Sequence, residues 1–101
     1  MLKFRTRIRN VKHKGLRRFI EADDPTGLPT AFVEKIRNIV SFLQAMQHAD
    51  ELANIPSWKA HQLTGDRKGV WSLTVSRNYR VTFWVDVTEQ ELVDLNYEDY
   101  H

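Results

Sequence analysis

Residues 58–83 read WKAHQLTGDRKGVWSLTVSRNYRVTF, and this stretch decides the fold. From Val70 to Val75 the apolar Trp71, Leu73 and Val75 fall on every second position. Tyr79, Val81, Phe83 and Val85 do the same further on. A period of two predicts two strands, each with one buried face. Ser76, Arg77 and Asn78 lie between them, a gap that fits only a hairpin, and Asn78 suits the left-handed conformation such turns use. The strands are therefore expected to be antiparallel neighbours. The same alternation sends Arg80, Thr82 and Trp84 to the opposite face. Packing does not explain an arginine in mid-strand.

Working outward, Leu2, Phe4, Thr6 and Ile8 alternate with Lys3, Arg5, Arg7 and Arg9, the pattern of an edge strand with one charged face. From Lys12 the spacing becomes helical. Leu16, Phe19 and Ile20 share one side, and Lys14, Arg17, Arg18 and Glu21 the other. The turn-forming run Asp23, Asp24, Pro25, Thr26, Gly27 closes this helix. Residues 29–48 are expected to form a longer amphipathic helix with Thr30 as its cap. Its stripe is Phe32, Val33, Ile36, Ile39, Val40, Leu43 and Met46. Ala49–Asn54 and Pro56 break the helix, and Trp58 begins the strand region. Leu63–Gly69 reads as an exposed loop, Asp86–Gln90 as a turn, and Leu92, Val93 and Leu95 as a last strand reaching Tyr97. The order predicts an α+β fold with two N-terminal helices on one face of a small antiparallel sheet.

With 101 residues the chain is expected to be one domain, spanning 1–101, that buries roughly two thirds of its unfolded surface. Cysteine is absent, which removes disulfides and thiolate metal sites and suits a reducing cytoplasm. No apolar run approaches the roughly 18 residues of a membrane span, and no signal-peptide apolar region follows the basic start. A cytoplasmic protein without membrane contact is expected. The net charge of +2 hides an asymmetry. Lys3, Arg5, Arg7, Arg9, Lys12, Lys14, Arg17 and Arg18 crowd the first eighteen residues with no acid among them, leaving seven basic and thirteen acidic residues behind. Such a segment fits a nucleic-acid backbone or an acidic partner protein.

Elimination narrows the chemistry. His13, His48, His61 and His101 are too widely spaced for a zinc motif, so no metal is expected. Glycine-rich phosphate loops are missing too, which argues against a nucleotide cofactor. What is left is a set of proton-transfer and phosphate-binding side chains: His61, Arg67, Lys68, Arg80, Asp99, Tyr100 and His101. If the last strand lies beside the central hairpin, a curled sheet gathers these on one concave face.

HKGLRRF near the start, LTGDRKGVWSLTVSRNYRVTF in the middle and NYEDYH at positions 96–101 together resemble the HigB toxins of the RelE/ParE superfamily. The resemblance runs from about Ile8 to His101 and implies the compact RelE-like α+β fold, two N-terminal helices against a twisted antiparallel sheet. It also implies a ribosome-dependent mRNA interferase without cofactor. The implied partners are a HigA-like helix-turn-helix antitoxin, the ribosome with messenger RNA in its decoding site, and operator DNA through the antitoxin. Matched position by position, the family's active-site histidine falls on His61, its strand arginine on Arg80, and its terminal Asp-Tyr-His on Asp99, Tyr100 and His101. Two positions depart from the pattern: Gln62 replaces a proline, and Thr64 replaces a lysine that would contact phosphate. Lys59, Arg67 and Lys68 are the nearby substitutes, and Lys12, Lys14, Arg17 and Arg18 are the further RNA-binding candidates. Residues 1–7 extend beyond the usual start, as an extra basic strand or from an upstream initiation site.

The implied chemistry is attack of a ribose 2′-hydroxyl on the adjacent phosphate, with one group removing a proton and another returning one to the 5′-oxygen. His61 and His101 are the natural base and acid, in either assignment, because histidine titrates nearest neutrality. Arg80 is the fixed cation for the phosphate, Asp99 orients or shares the proton work, and Tyr100 stacks on a base or bonds the phosphate. The competing reading is a non-catalytic member acting by protein contact, through topoisomerase inhibition or operon repression; the loss of a lysine at Thr64 is its support.

Overall fold

The alternating stretches form the centre of a five-stranded sheet. The structure is a computed structural model that describes residues 6–99. Its strands are β1 (Arg7–Ile8), β2 (His61–Gln62), β3 (Trp71–Thr74), β4 (Tyr79–Asp86) and β5 (Glu91–Asp99), in the order β1-β5-β4-β3-β2. Two helices precede the hairpin, α1 (Lys14–Ala22) and α2 (Val33–Ala45). The α+β arrangement matches the expectation, and β5 does lie beside the hairpin. β2, β3, β4 and β5 pair antiparallel, whereas β1 joins β5 in parallel, Arg7 opposite Glu91 and Ile8 opposite Leu92. Arg9 fastens this edge by ion pairs to Asp86 and to Glu91, the latter at 2.6 Å. The strand expected from Leu2 onward is described only from this point, and Leu2, Lys3, Phe4 and Arg5 lie outside the described residues.

One face of the sheet carries the core. Leu73, Val75, Val81, Phe83, Leu92, Leu95 and Tyr97 meet Leu16 and Phe19 of α1 and Ile36, Ile39, Val40 and Leu43 of α2 in one cluster. Each fully buried aliphatic side chain contributes about 2 kcal/mol of apolar transfer free energy, so the helical stripe is sufficient reason for α2 to lie here. The helix is shorter than the expected 29–48. Thr30–Phe32 is a 3-10 turn, so Thr30 is not a cap, and Pro29 precedes the turn without a side-chain capping bond. At the other end Met46 is extended, and its carbonyl accepts from the Thr6 N–H at 3.2 Å and the Thr6 hydroxyl at 2.6 Å. Pairing with the N-terminal segment ends the helix there.

Two other local expectations change. Trp58 belongs to the 3-10 turn Pro56–Trp58, buried edge-on against Phe42 at 5.4 Å between ring centroids, and the strand starts at His61. Asn78 does not take the left-handed conformation. Instead Ser76 closes the hairpin, its hydroxyl accepting from the Tyr79 N–H at 3.2 Å and its own N–H donating to the Tyr79 carbonyl at 3.1 Å.

The start of α1 is unusually close to the turn Pro25–Gly27. A Cβ added at Gly15 would lie 2.4 Å from the Gly27 carbonyl oxygen, and one added at Gly27 would lie 2.6 Å from the Gly15 Cα. Just before it, His13 caps α1: its Nδ1 accepts the Leu16 N–H at 3.0 Å, and its ring meets Tyr97 edge-on at 5.4 Å. Burial holds the His13 pKa below the ordinary histidine value, which keeps Nδ1 free to accept.

Candidate active site

The sheet face away from the helices carries the polar side chains of the hairpin. Register sets them side by side: His61 opposite Ser72, Ser72 opposite Thr82, Thr74 opposite Arg80, and Arg80 opposite Glu98. His61 and Arg80 thus share one face, separated by β3 and by two residues along the strand, about 12 Å between backbones at ordinary strand spacing.

Each group is oriented. His61 is exposed, and its Nδ1–H donates to the Lys59 carbonyl at 2.8 Å. A carbonyl only accepts, so in the neutral ring Nε2 is the free acceptor, the form a general base needs. Lys59 supplies that carbonyl from a left-handed backbone, φ 50°, at the end of the Pro56–Trp58 turn. Arg80 has a side chain only 13% exposed and stands 3.6 Å from Glu98. Glu98 is the organiser of the face: Arg67 donates to both its oxygens at 2.7 Å, and the Thr82 hydroxyl donates to it as well. The Arg67 fork, opposed by partial burial and assisted by Thr82 and Arg80, pulls the Glu98 pKa from 4.5 down to about 2.

Sequence reasoning missed Glu98, although it sits inside the quoted NYEDYH. Finding it required the register that puts it across from Arg80. A titration follows. Because the folded-state pKa is depressed, the stabilisation from Glu98 is complete above pH 4.5 and is lost as the pH falls from there toward about 2. The Arg67 side chain is 44% exposed, so the pair should contribute no more than about 1 kcal/mol. Thermal melts across that window should fall more steeply for the wild type than for Glu98→Gln. Parallel curves would mean that the bridge carries no net stability.

The other expected residues divide. Arg67 reaches the face but is committed to Glu98, which raises its own pKa. Lys12 borders a recess over Thr82 together with Asp66, Arg67, Asn96 and Glu98. Lys68 lines a neighbouring groove, and Lys59 is exposed beside His61. Lys14, Arg17 and Arg18 are exposed on α1, in the helical layer, and are not brought to this face. Asp99 is opposite Tyr79, which stacks on Tyr97 with ring centroids 4.9 Å apart. Strand alternation therefore turns it toward the helix-bearing side, at the end of β5 nearest Arg80. Tyr100 and His101 follow directly and lie outside the described residues. Among the described residues no group of three or more His, Asp or Glu side chains is placed to hold a metal ion, and no helix is long and apolar enough to cross a membrane.

The family described as the RelE-like toxin of type II toxin–antitoxin system HigB matches residues 9–101. A relative named Endoribonuclease HigB, from Proteus vulgaris, is 41% identical over an alignment of 96 residues that covers 93% of this chain and 99% of that protein. Two solved structures share the fold. One is the toxin–antitoxin complex RelBE2 of Mycobacterium tuberculosis, with a TM-score of 0.51 at 18% identity over 95% of this chain and 99% of that one. The other is the YoeB/ParE toxin of Agrobacterium tumefaciens, with a TM-score of 0.51 at 17% identity over 94% and 99%.

Proposed function

The chain belongs to the RelE-like HigB family of type II toxin–antitoxin toxins, and from that premise we propose that it cuts messenger RNA in the decoding site of the translating ribosome. It is an endoribonuclease toxin, paired with an antitoxin. The observation that carries the reading is Arg80, a mid-strand arginine that Glu98 aims across a face shared with His61, beside the end of β5 that leads into Asp99, Tyr100 and His101. Arg80 stabilises charge developing on the phosphate, and His61 and His101 exchange protons with the 2′-hydroxyl and the 5′-oxygen. Asp99 orients one of these histidines, and Tyr100 contacts the phosphate or a base. Lys12, Lys59 and Lys68 meet neighbouring phosphates, with Lys59 and Lys68 covering the lysine that Thr64 replaces. Arg67 acts through Glu98 as a positioning residue. The partner is a HigA-like helix-turn-helix antitoxin that carries the pair to operator DNA, and the target places the toxin in the cytoplasm.

The test is to map transcript 5′ ends after induced expression in a bacterial host, on two reporters that differ only in the start codon. New ends inside translated codons, absent from the reporter without a start codon, are expected. Equal cutting of both reporters would remove the ribosome from the mechanism. Growth arrest without new ends would move the target from messenger RNA to a protein.

A further inference from the structure

Among the described residues, Trp84 is a large exposed side chain of the open face that the cleavage chemistry leaves unused. It follows Arg80 and Thr82 on that face of β4, four residues beyond Arg80 and therefore about 13 Å along the strand. The residue is 42% exposed. The Asp94 carboxylate borders the same recess as the indole. Asp94 is itself fixed at φ 55°, beside the register shift between Thr82 and Trp84. Asn10 holds it from both ends, donating to the carboxylate at 2.8 Å and accepting the Asp94 N–H at 2.9 Å. Asp94 is thus fixed within the protein, and the indole beside it offers an exposed π surface.

Its surroundings are polar on one side and apolar on the other. Toward Arg80 lies the recess bordered by Lys12, Thr82, Asn96 and Glu98. Away from it runs a groove of about 660 Å³ whose lining includes Lys68, Trp71, Val85 and Val87. Two acids near the indole are engaged, Glu98 by Arg67 and Asp94 by Asn10, and a third, Asp66, borders both hollows. Lys12 and Lys68, both exposed, each border one of these two hollows, and Trp84 lines both.

We propose that Trp84 is a stacking platform for an unpaired base of the bound messenger strand, at a fixed distance along β4 from the phosphate held by Arg80. The inference rests on the ribonuclease reading given above and adds a base subsite to it. The occupant follows from continuity with the cleavage face and from the two lysines, which suit the phosphates flanking a stacked base. An indole face takes a base by overlap, and every base has a π face to offer. It should therefore accept any base and hold purines longest.

The experiment uses the full chain bound to ribosomes programmed with a messenger that is 2′-O-methylated at the cut site, which removes the attacking hydroxyl. 2-Aminopurine, whose fluorescence is quenched by stacking, is placed at successive positions. Wild type should quench one position a few nucleotides from the cut. Trp84→Ala should abolish that quench and weaken binding about tenfold, with Trp84→Phe retaining part of both. Unchanged melting temperatures would establish that the variants fold. No Trp84-dependent quench at any position, or loss of antitoxin binding in place of RNA binding, overturns the platform. If the wild type still cuts translated messages in that case, the ribonuclease reading stands without the platform. A wild type that neither cuts nor binds programmed ribosomes overturns both.

Discussion

Arg80→Ala is expected to lower messenger cleavage by about a hundred- to a thousandfold, the usual loss when one preorganised group facing a developing charge is removed. The fold should survive. Glu98 would keep both Arg67 bonds and the Thr82 hydroxyl, so the truncation leaves no buried carboxylate unpaired. Growth arrest and new transcript ends should therefore disappear while antitoxin binding and melting temperature persist. Arg80→Lys keeps the charge but not the planar fork, and should recover only part of the activity. Cleavage by Arg80→Ala at the wild-type rate would assign the phosphate to another cation, with Lys12 and Lys68 next in line.

The second large effect concerns stability. Gly15→Ala places a methyl group 2.4 Å from a backbone oxygen, and the obstacle is the main chain of the Pro25–Gly27 turn, not a side chain that can swing away. Overpacking of this kind costs about 3 kcal/mol, against at most about 1 kcal/mol that alanine returns in helix propensity. The clash wins. A net loss of about 2 kcal/mol corresponds to a melting temperature about 10 °C lower in a domain of this size. Gly27→Ala should behave alike, because its Cβ would lie 2.6 Å from the Gly15 Cα. A melting temperature within a degree or two of wild type would mean that the turn simply shifts aside.

Periodicity sufficed wherever one face was buried along the whole element. The hairpin strands, α1 and the stripe of α2 were all legible because alternation or helical spacing reports burial directly. What escaped depended on partners distant in sequence. The end of α2 at Met46 is set by Thr6, forty residues away, and Trp58 is drawn out of the strand by Phe42. The parallel entry of β1 beside β5 has no local signature at all. In the site, Arg80 and His61 stood out from their own strands, but Glu98 acquires meaning only from its register, and Asp99 falls on the other side of the sheet for the same reason. HKGL near the start reads as part of a basic tract, yet its histidine is a helix cap and its glycine a point of backbone contact.

β5 is hydrogen-bonded on both sides, to β1 and to β4, and brings Leu92, Leu95 and Tyr97 into the core. During synthesis the two flanking strands are made first and must wait, each with an open edge, until residues 91–99 have left the exit tunnel. Closing the sheet then joins Ile8 to Leu92, a contact spanning nearly the whole chain, and such long closures are late events in folding. Glu98, which aims Arg80, arrives on that same final strand. The face that carries Arg80 is therefore completed only when β5 docks between β1 and β4.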